Sequence, residues 1–341
     1  MQKKNLWLSI YKQAEKFYKL SPWKWLFETE VFAIRSPETN RIYFISILGN
    51  SGIEYALIAY EGTTALGQFW EFQSKHANLP SEFILTIPHT MLSFVEADML
   101  PDDQKKQIGL SGIAFNQNAL PLLTRCVPGF VPASPDIESL NDFNIIFEQA
   151  LHVLNRTKQD AYFLHTEEQT DDDYLVRNPI KTGNQIYWED AYERITIDSE
   201  FYKIKFPEEI LTSYIHLPKV KDIYQLDARI VYNPVRDGEH PDYYPFLLMV
   251  VHKKTGMVVG FKLLQPIIGF EKMLSSIPHE VMKIFLQAGQ RPYSVEVINN
   301  RIYNILKKVS SKLNLNVTLV RKLIQYDKAY NSFADHLNTI N

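Results

Sequence analysis

The stretch Tyr244–Gln265, YPFLLMVVHKKTGMVVGFKLLQ, consists of two apolar runs joined by the polar residues HKKTG. Short runs rich in β-branched residues predict strands, and a glycine between them favours a tight turn. We therefore expect an antiparallel hairpin whose tip, with Lys253 and Lys254, lies in water. His252 stands where the first run ends, and we interpret it as the end of a strand and not as a metal ligand.

The segments around this hairpin predict the element order of the second half of the chain. A strand is expected before the hairpin, and a helical region, broken near Pro278, after it. Asn299 is a good cap for a further helix, which begins after a short strand. The predicted segments are strands at Asp222–Tyr232, Tyr293–Ile298 and Asn316–Val320, and helices at Phe270–Ala288, 301–313 and Asp327–Leu337. The predicted order is β-β-β-α-β-α-β-α.

The first half of the chain predicts a different arrangement. Apolar residues recur at spacings of three and four between Trp7 and Tyr18, which is typical of an amphipathic helix. Three short aromatic and β-branched segments, separated by the turn-forming sequences SPETN and GNSG, predict an antiparallel meander. These are Glu30–Ile34, Arg41–Leu48 and Tyr55–Tyr60. The proline-dense run from Pro121 to Pro135 is expected to be irregular, and an apolar stripe over 137–158 predicts a helix that closes the first domain.

Length and composition favour two domains. The chain has 341 residues, of which 45% are hydrophobic, enough for two cores. Residues 159–200 contain eleven acidic and three basic side chains, and this shift in composition marks the junction. We therefore predict an α+β fold with an α+β domain at 1–160, an acidic junction at 161–200 and an α/β domain at 201–341.

The order of elements in the second half resembles the ribonuclease H-like fold, in which three antiparallel strands are extended by parallel strands connected through helices. The phrase GQRPYSVEVINN strengthens the likeness, since integrase cores often have an arginine-proline pair, a strand and then Asp-Asn-Gly. Arg291 and Pro292 match this pattern. Ile298, however, occupies the aspartate position, and Asn299 and Asn300 replace Asn-Gly.

This resemblance implies where metal ligands would lie. Nucleases of this fold use carboxylates to hold two divalent metal ions about 4 Å apart. In the integrase-type alignment Val251 or His252 stands at the first aspartate. If Asp222–Tyr232 is instead the first strand, the candidate catalytic residues are Asp227, Glu271 or Glu280, and Glu296.

The whole chain also resembles a bacterial family that is known only as paired domains of unknown function. The likeness rests on the PWKW segment, the PGFVP segment, the TG turn of the hairpin and the arginine-proline strand. The matching residues are Pro22, Trp23, Trp25, Pro128, Gly129, Pro132, Thr255, Gly256, Gly260, Arg291 and Pro292. This resemblance implies an architecture and assigns no catalytic residue and no cofactor.

Local motifs give little further indication of chemistry. The sequence contains no GxGxxG, GxxxxGK[ST], GxSxG, HExxH or CxxC pattern. The densest polar cluster lies in VRDGEHPDYY and offers four potential metal ligands, namely Asp237, Glu239, His240 and Asp242. The same cluster is also typical of a solvated loop between strands. The aromatic residues Trp23, Trp25 and Phe27 form either a binding platform or a packing corner.

The charge of the chain gives limited information about its binding partners. The formal net charge is −3, which offers no global attraction to nucleic acid or to an anionic membrane. Residues 281–341, however, hold nine basic and three acidic side chains. This basic surface, which includes Lys307, Lys308, Lys312, Arg321 and Lys322, is an ordinary solvated face, a dock for the acidic junction, or a site for nucleic acid or an acidic partner.

The functional hypothesis from sequence is a non-catalytic bacterial protein that acts as a binding or interaction scaffold. The alternative is a divergent metal-dependent nuclease or other nucleic-acid-processing enzyme. Cys126 is the single cysteine and cannot form an internal disulfide, which is typical of a reducing cytoplasm. No apolar run approaches the ~18 residues that a membrane-spanning helix needs.

Overall fold

A computed structural model describes residues 2–74, 81–165, 169–183, 185–197 and 202–340. The chain divides into two compact units, and each is interleaved in sequence. Unit 1 comprises Met1–Gln73, Ile87–Val127 and Pro132–Ser199. Unit 2 comprises Ser74–Thr86, Pro128–Val131 and Glu200–Asn341.

In its described residues, unit 1 forms a seven-stranded sheet with flanking helices. The strands are β1 Phe32–Arg35, β2 Ile42–Leu48, β3 Ala56–Glu61, β4 His89–Val95, β5 Leu120–Cys126, β6 Asp173–Thr182 and β7 Gln185–Arg194. The helices are α1 Gln2–Leu20, α2 Gly62–Gln73, α3 Asp102–Ser111 and α4 Ile137–Thr157. The strand order is β5-β4-β3-β2-β1-β6-β7, and neighbours are antiparallel except β1 and β6, which are parallel.

The predicted meander and the predicted first helix of unit 1 are confirmed. Strands β1, β2 and β3 pair in antiparallel order, with Phe44 opposite Ala33 and Tyr60. The apolar stripe of α1 is buried against α4, and the Phe17 ring lies 5.8 Å from the ring of Phe147. Helix α2 contributes buried Phe69, whose ring lies 5.0 Å from Tyr60. Local periodicity was therefore sufficient to find these elements.

The expectation that the run from Pro121 to Pro135 is irregular was wrong in its first part. Residues Leu120–Cys126 form strand β5, which pairs antiparallel with β4 and places Pro121 opposite Phe94. Strand β5 is the last strand of the sheet, and among the described residues its outer side is bridged at Arg125, to Ala133, and not at Pro121, so a residue without an N–H group is tolerated there.

The acidic residues 161–200, predicted to be a junction, contain a β-hairpin of unit 1. Strands β6 and β7 pair over ten positions, from Asp173 opposite Arg194 to Thr182 opposite Gln185. Several of the acidic side chains are paired there: Arg177 donates to Asp190 (2.8 Å), and Arg35 donates to Glu193 (3.0 Å). Ion pairing within the sheet accounts for part of the acidic composition.

In its described residues, unit 2 forms a five-stranded sheet. The strands are β8 Lys219–Ile230, β9 Phe246–His252, β10 Val258–Leu264, β11 Arg291–Val297 and β12 Asn316–Leu319. The helices are α5 Glu208–Ile215, α6 Phe270–Ser275, α7 Ile277–Gln287, α8 Asn300–Leu313 and α9 Ile324–Ile340. The strand order is β10-β9-β8-β11-β12. Strands β8, β9 and β10 are antiparallel, β11 is parallel to β8, and β12 is parallel to β11.

The hairpin and the element order expected for the second half are confirmed. Strands β9 and β10 are joined by a tight turn in which the Gly256 N–H donates to the His252 carbonyl (2.9 Å), and Gly256 has φ +73°. The side chain of Asn299 caps α8, as predicted, by accepting from the N–H groups of Arg301 and Ile302. Helices α6 and α7 replace the single helical region, and the break falls at Ser276, two residues before Pro278.

Both faces of the unit 2 sheet are covered by helices. One face packs against α7 and α8 through buried residues such as Leu226, Leu248 and Val295. The other face packs against α9 through residues such as Met249 and Tyr326. Because side chains alternate along a strand, Gln225, Asp227 and Arg229 of β8 lie on the α9 face.

Unit 2 includes two short segments from the first half of the chain. The 3-10 helix Ser81–Thr86 belongs to it, and Leu85 packs against its core. The second segment, Pro128–Val131, is held by backbone hydrogen bonds: Val131 N–H donates to the Asp242 carbonyl (2.9 Å), and Tyr244 N–H donates to the Gly129 carbonyl (2.9 Å). Residues distant in sequence therefore complete this unit.

Among the described residues, no helix is both long enough and apolar enough to cross a membrane.

Candidate functional site

Asp227 is the most buried of the predicted carboxylates, and both of its oxygens accept hydrogen bonds from the chain. It lies near the end of β8 and is 3% exposed. Its Oδ1 accepts from the Ala228 N–H (2.9 Å), and its Oδ2 accepts from the Arg229 Nε (2.9 Å). Burial raises the pKa of Asp227, and the guanidinium of Arg229 opposes that shift. The carboxylate is therefore one half of a buried ion pair.

Arg229 connects this ion pair to helix α9. Its Nη2 donates to the Asp327 carboxylate (2.8 Å), and its guanidinium lies over the rings of Tyr326 (4.7 Å) and Tyr330 (5.4 Å). Burial is the strongest single influence on Arg229 and lowers its pKa, but Asp227, Tyr326 and Asp327 together outweigh burial and raise the pKa above its usual value. The cluster of Asp227, Arg229, Tyr326, Tyr330 and Asp327, which we call the β8–α9 ionic cluster, joins strand and helix.

Glu296 lies on the same face of the sheet as Asp227 but has a different cation as its partner. Its Oε1 accepts from Lys253 Nζ (2.5 Å), and its Oε2 accepts from Gln225 Nε2 (3.2 Å). Val295 and Val297 point to the opposite, fully buried side. This agrees with the alternation of the strand and with the cost of burying a carboxylate that has no partner.

The other two predicted carboxylates lie on helices of the opposite face. Glu280 on α7 accepts from Lys283 (3.1 Å) and lies 3.3 Å from His279 Nδ1. Glu271 is an exposed residue of the first turn of α6. Helices α6 and α7 pack their apolar residues on the side of Leu248 and not on the α9 side. The structure thus brings Asp227 and Glu296 to one face and leaves Glu271 and Glu280 on the other.

The loop around residues 237–242 contains two separate local pairs, Asp237 with His240 and Asp242 with Arg236. Asp237 Oδ1 accepts from the N–H groups of Glu239 and His240 (both 3.0 Å), and its Oδ2 lies 3.2 Å from His240 Nδ1. These hydrogen bonds hold the pKa of Asp237 below its usual range. Asp242 accepts from Arg236 (3.1 Å). The loop is therefore stabilised by its own polar side chains.

No described residues form a group of three or more His, Cys, Asp or Glu side chains that could hold a metal ion. The five basic residues named for the C-terminal surface are exposed: Lys307, Lys308 and Lys312 lie on α8, and Arg321 and Lys322 follow β12. Lys308 Nζ donates to the Tyr202 carbonyl (2.9 Å).

A small cavity lies at the ends of β8 and β11, where helix α8 begins. Its volume is about 50 Å³, and its wall includes Asp227, Arg229 and Arg301. Arg301 is 4% exposed and donates from Nη1 to Thr86 Oγ1 (2.7 Å), and its guanidinium lies 4.7 Å from the Phe83 ring. The segment Ser81–Thr86 therefore fills the place where open α/β sheets commonly bind ligands.

A second concave site, which sequence reasoning missed, lies in unit 1 between the sheet and the start of α4. We call it the α4 cleft; its volume is about 430 Å³. Its lining residues are Glu38, Thr39, Arg41, Tyr43, Glu61, Thr90, Arg125, Asp136, Glu138, Ser139, Asn141, Asp142 and Phe143. Strands β2 to β5 supply one wall and the first turns of α4 supply the other.

Asp142 attaches α4 to the sheet at the base of the α4 cleft. It is 5% exposed and accepts hydrogen bonds from the hydroxyls of Ser36 and Tyr43, with a longer one from Thr39 (3.4 Å). Burial, together with the bond to Asp142, raises the pKa of Tyr43 and keeps its hydroxyl protonated as a donor. A signal was present in the sequence, since Asp142 falls on the apolar stripe of α4 beside Phe143 and Ile146.

Arg125 holds the opposite side of the α4 cleft. Its Nε lies 3.4 Å from the Glu61 carboxylate, and its Nη1 donates to Asp136 (3.2 Å) and Ser139 (2.5 Å). Arg41 lies 3.8 Å from Glu61. Both guanidinium groups of the cleft are therefore engaged by carboxylates of the chain itself.

The aromatic segment after α1 is mainly a packing corner. Trp23 is 7% exposed, and its ring lies 4.6 Å from Tyr55 and 5.6 Å from Phe17. Trp25 Nε1 donates to Thr157 Oγ1 (3.2 Å). Phe27 alone of the three extends into solvent, at 56% exposed.

Cys126, at the end of β5, is buried, and burial raises the pKa of its thiol to about 12.

These observations define a two-unit α+β protein in which each unit is built on its own mixed sheet. The family model for a domain of unknown function (DUF7309) matches residues 7–177, half of the chain, and a second model for a domain of unknown function (DUF6930) matches residues 211–334. The chain belongs to the DUF7309 family and carries both domains. No curated protein matches it.

Proposed function

We propose that the protein is a non-catalytic binding or interaction protein of the bacterial cytoplasm, and that unit 2 is a ribonuclease H-like module without a metal pair. The strand order β10-β9-β8-β11-β12, with three antiparallel strands extended by two parallel ones, supports the ribonuclease H-like assignment. The bacterial source follows from the resemblance to paired domains of unknown function. A single, buried cysteine is consistent with a reducing compartment.

The observation that carries the proposal is the ion pair between Asp227 and Arg229. In this fold a carboxylate on the central first strand would hold metal, but both oxygens of Asp227 accept hydrogen bonds from the chain. Glu296 is likewise engaged by Lys253 and Gln225. A metal ion would have to displace a guanidinium and an ammonium group, and each lost pair leaves a buried or half-buried charge to be compensated.

One observation favours the alternative, a metal-dependent nuclease. Asp227 and Glu296 lie on the same face of the sheet, with Gln225 as the register partner of Glu296 and two residues before Asp227. Removal of Lys253 and Arg229 from the two carboxylates would expose oxygen ligands on adjacent strands. The two functions therefore differ in whether manganese binds at Asp227.

Calorimetric titration with Mn²⁺ and a nuclease assay on single- and double-stranded DNA and RNA distinguish them. We expect no saturable Mn²⁺ binding up to millimolar concentration and no cleavage, both for the wild-type protein and for Asp227→Asn. His252→Ala should behave in the same way, because His252 Nδ1 accepts from Thr255 (2.9 Å from Oγ1) at the turn. Saturable Mn²⁺ binding or cleavage that is lost in Asp227→Asn would support the nuclease.

A further inference from the structure

We propose that the α4 cleft of unit 1 is a binding site for a small organic cation that carries a primary ammonium group. This site is independent of unit 2 and of the function proposed above. Its volume of about 430 Å³ is within the ~300–1,000 Å³ that is usual for small-molecule pockets. Its walls are two rigid elements, a sheet and a long helix, which are the parts of a fold best able to hold a preorganised site.

The charge of the cleft selects a cation. Five carboxylates line it, from Glu38, Glu61, Asp136, Glu138 and Asp142, against two guanidinium groups. The guanidinium groups of Arg41 and Arg125 are already engaged by Glu61 and Asp136. A concave surface with a surplus of one sign concentrates ligands of the opposite sign.

Two of these carboxylates are available to a ligand. Glu38, in the turn between β1 and β2, and Glu138, in the first turn of α4, are exposed where they line the cleft. Among the residues that the structure describes, neither side chain has a hydrogen-bond or ion-pair partner. Glu38 comes from the sheet side of the cleft and Glu138 from the helix side, and an ammonium group has three donors with which it can bond more than one carboxylate.

Thr90 provides a second observation, independent of charge, that points to a ligand. It lies on β4 directly opposite Arg125 of β5, it is 3% exposed, and it lines the cleft. Its hydroxyl makes no hydrogen bond to any described residue. Because Thr90 lines the cleft, its hydroxyl is suited to bond a polar group of a molecule there.

Asp142 shapes the cleft and does not serve as a ligand group. Its oxygens accept hydrogen bonds from the hydroxyls of Ser36, Tyr43 and Thr39. This attachment fixes the first turns of α4, and with them Glu138, against the strands that carry Thr90. The geometry of the two walls is therefore set before a ligand arrives.

Calorimetric titration of the full-length protein with agmatine, putrescine and citrate tests the proposal. We expect agmatine or putrescine to bind saturably at low ionic strength and citrate not to bind. The double variant Glu38→Gln/Glu138→Gln should weaken binding at least tenfold. Thr90→Val, which replaces the hydroxyl by a methyl group of similar size, should weaken it several-fold, a change that general surface charge would not produce.

Glu148→Gln is the matched control, since Glu148 is an exposed carboxylate on the same helix and does not line the cleft. It should leave the affinity unchanged. Thermal melting of each variant, without ligand, shows that the fold is intact. Three results would each overturn the proposal: saturable binding of neither amine, tighter binding of citrate, or equal affinity in the wild-type protein and in the Glu38→Gln/Glu138→Gln and Thr90→Val variants.

Discussion

Asp142 and Asp227 are both buried aspartates, but different groups stabilise them. Asp142 accepts hydrogen bonds from hydroxyls of three residues, whereas Asp227 is paired with the guanidinium of Arg229. Hydroxyls leave the negative charge in place, while a guanidinium neutralises it. Among the described residues, the hydrogen-bond partners of Asp142 are thus neutral hydroxyls, whereas Asp227 has a cation beside it.

His89 should make unit 1 sensitive to acid. It is buried on β4, its Nδ1 donates to the Ile87 carbonyl (2.8 Å), and burial lowers its pKa from 6.5 to about 4. Between pH 6.5 and pH 4, the unfolded chain therefore binds a proton at His89 that the folded chain does not bind. The contribution of neutral His89 to the free energy of unfolding is fully present above pH 6.5. It falls by about 3 kcal/mol as the pH drops to 4, at about 1.4 kcal/mol per pKa unit.

Denaturant unfolding of the wild-type protein and of His89→Asn across this pH range measures the effect. The asparagine keeps a donor near the Ile87 carbonyl but cannot titrate, so the stability difference between the two proteins should shrink or reverse as the pH falls. His152→Asn, an exposed histidine on α4, should leave the pH dependence as it is. A parallel response of wild type and His89→Asn at all pH values would contradict the prediction.

Gly256 is required by the hairpin turn between β9 and β10. Its φ of +73° belongs to the left-handed region, and an added Cβ would lie 2.9 Å from Gln325 Oε1. Gly256→Ala should therefore lower the free energy of unfolding by about 1–2 kcal/mol, mainly through backbone strain, because the Gln325 side chain can move. Chemical denaturation measures this cost.

Gly52→Ala separates strain from contact, since Gly52 has φ +74° and no atom within 4 Å of an added Cβ. The two variants should lose similar stability. If Gly256→Ala were as stable as the wild-type protein while Gly52→Ala was not, the turn would not hold the conformation described here.

At the scale of elements, the β8–α9 ionic cluster is the main polar connection across the α9 face. Arg229 of β8 joins Asp227 to Asp327 of α9, and Gln225 of β8 accepts from the N–H groups of Gln325 and Tyr326 at the start of α9. A strand that carries two polar side chains toward a helix sets the register of that helix, because each buried group has to meet its partner.

Arg229→Leu should be strongly destabilising. It would leave the Asp227 carboxylate buried without its cation, which typically costs about 3–5 kcal/mol. The double variant Asp227→Asn/Arg229→Leu should recover part of this loss because no uncompensated charge remains. The four unfolding free energies of a double-mutant cycle measure the coupling, and additive effects of the two substitutions would show that the residues do not act as a pair.

At the scale of the whole molecule, sequence halves and compact units do not coincide. Unit 2 contains Ser74–Thr86 and Pro128–Val131, whereas the second family match begins only at residue 211. Within unit 2, Arg301 on α8 donates to Thr86 and its guanidinium lies near Phe83. We propose on this basis that a fragment starting near residue 200 lacks part of its own unit.

Thr86→Val in the full-length protein tests the importance of the first segment. The buried guanidinium of Arg301 would lose the Oγ1 acceptor, at a cost of about 1–3 kcal/mol. Thr182→Val, at an exposed position of β6, is the control and should change stability by no more than a few tenths of a kcal/mol. If both variants unfold at the same denaturant concentration as the wild-type protein, the Thr86 hydroxyl makes no net contribution to stability.

The sequence by itself determined most of the elements. The stripe of α1, the meander β1–β3, the hairpin β9–β10 with its glycine turn and the Asn299 cap all follow from periodicity and turn chemistry, which act over a few residues. The prediction of an irregular segment at Pro121 was wrong. A strand tolerates proline when it lies at the edge of a sheet, and which strand lies at the edge is decided by the whole sheet.

Only the tertiary structure decided which polar groups meet. Asp227 and Arg229 are two residues apart, yet their pairing matters because α9, a hundred residues later, covers that face and removes water from it. Asp142 likewise accepts hydrogen bonds from Ser36, just after β1, and from Tyr43 on β2, both about a hundred residues away in sequence. Charge in a protein depends on solvent exposure and on partners in space, and neither is carried by local sequence patterns.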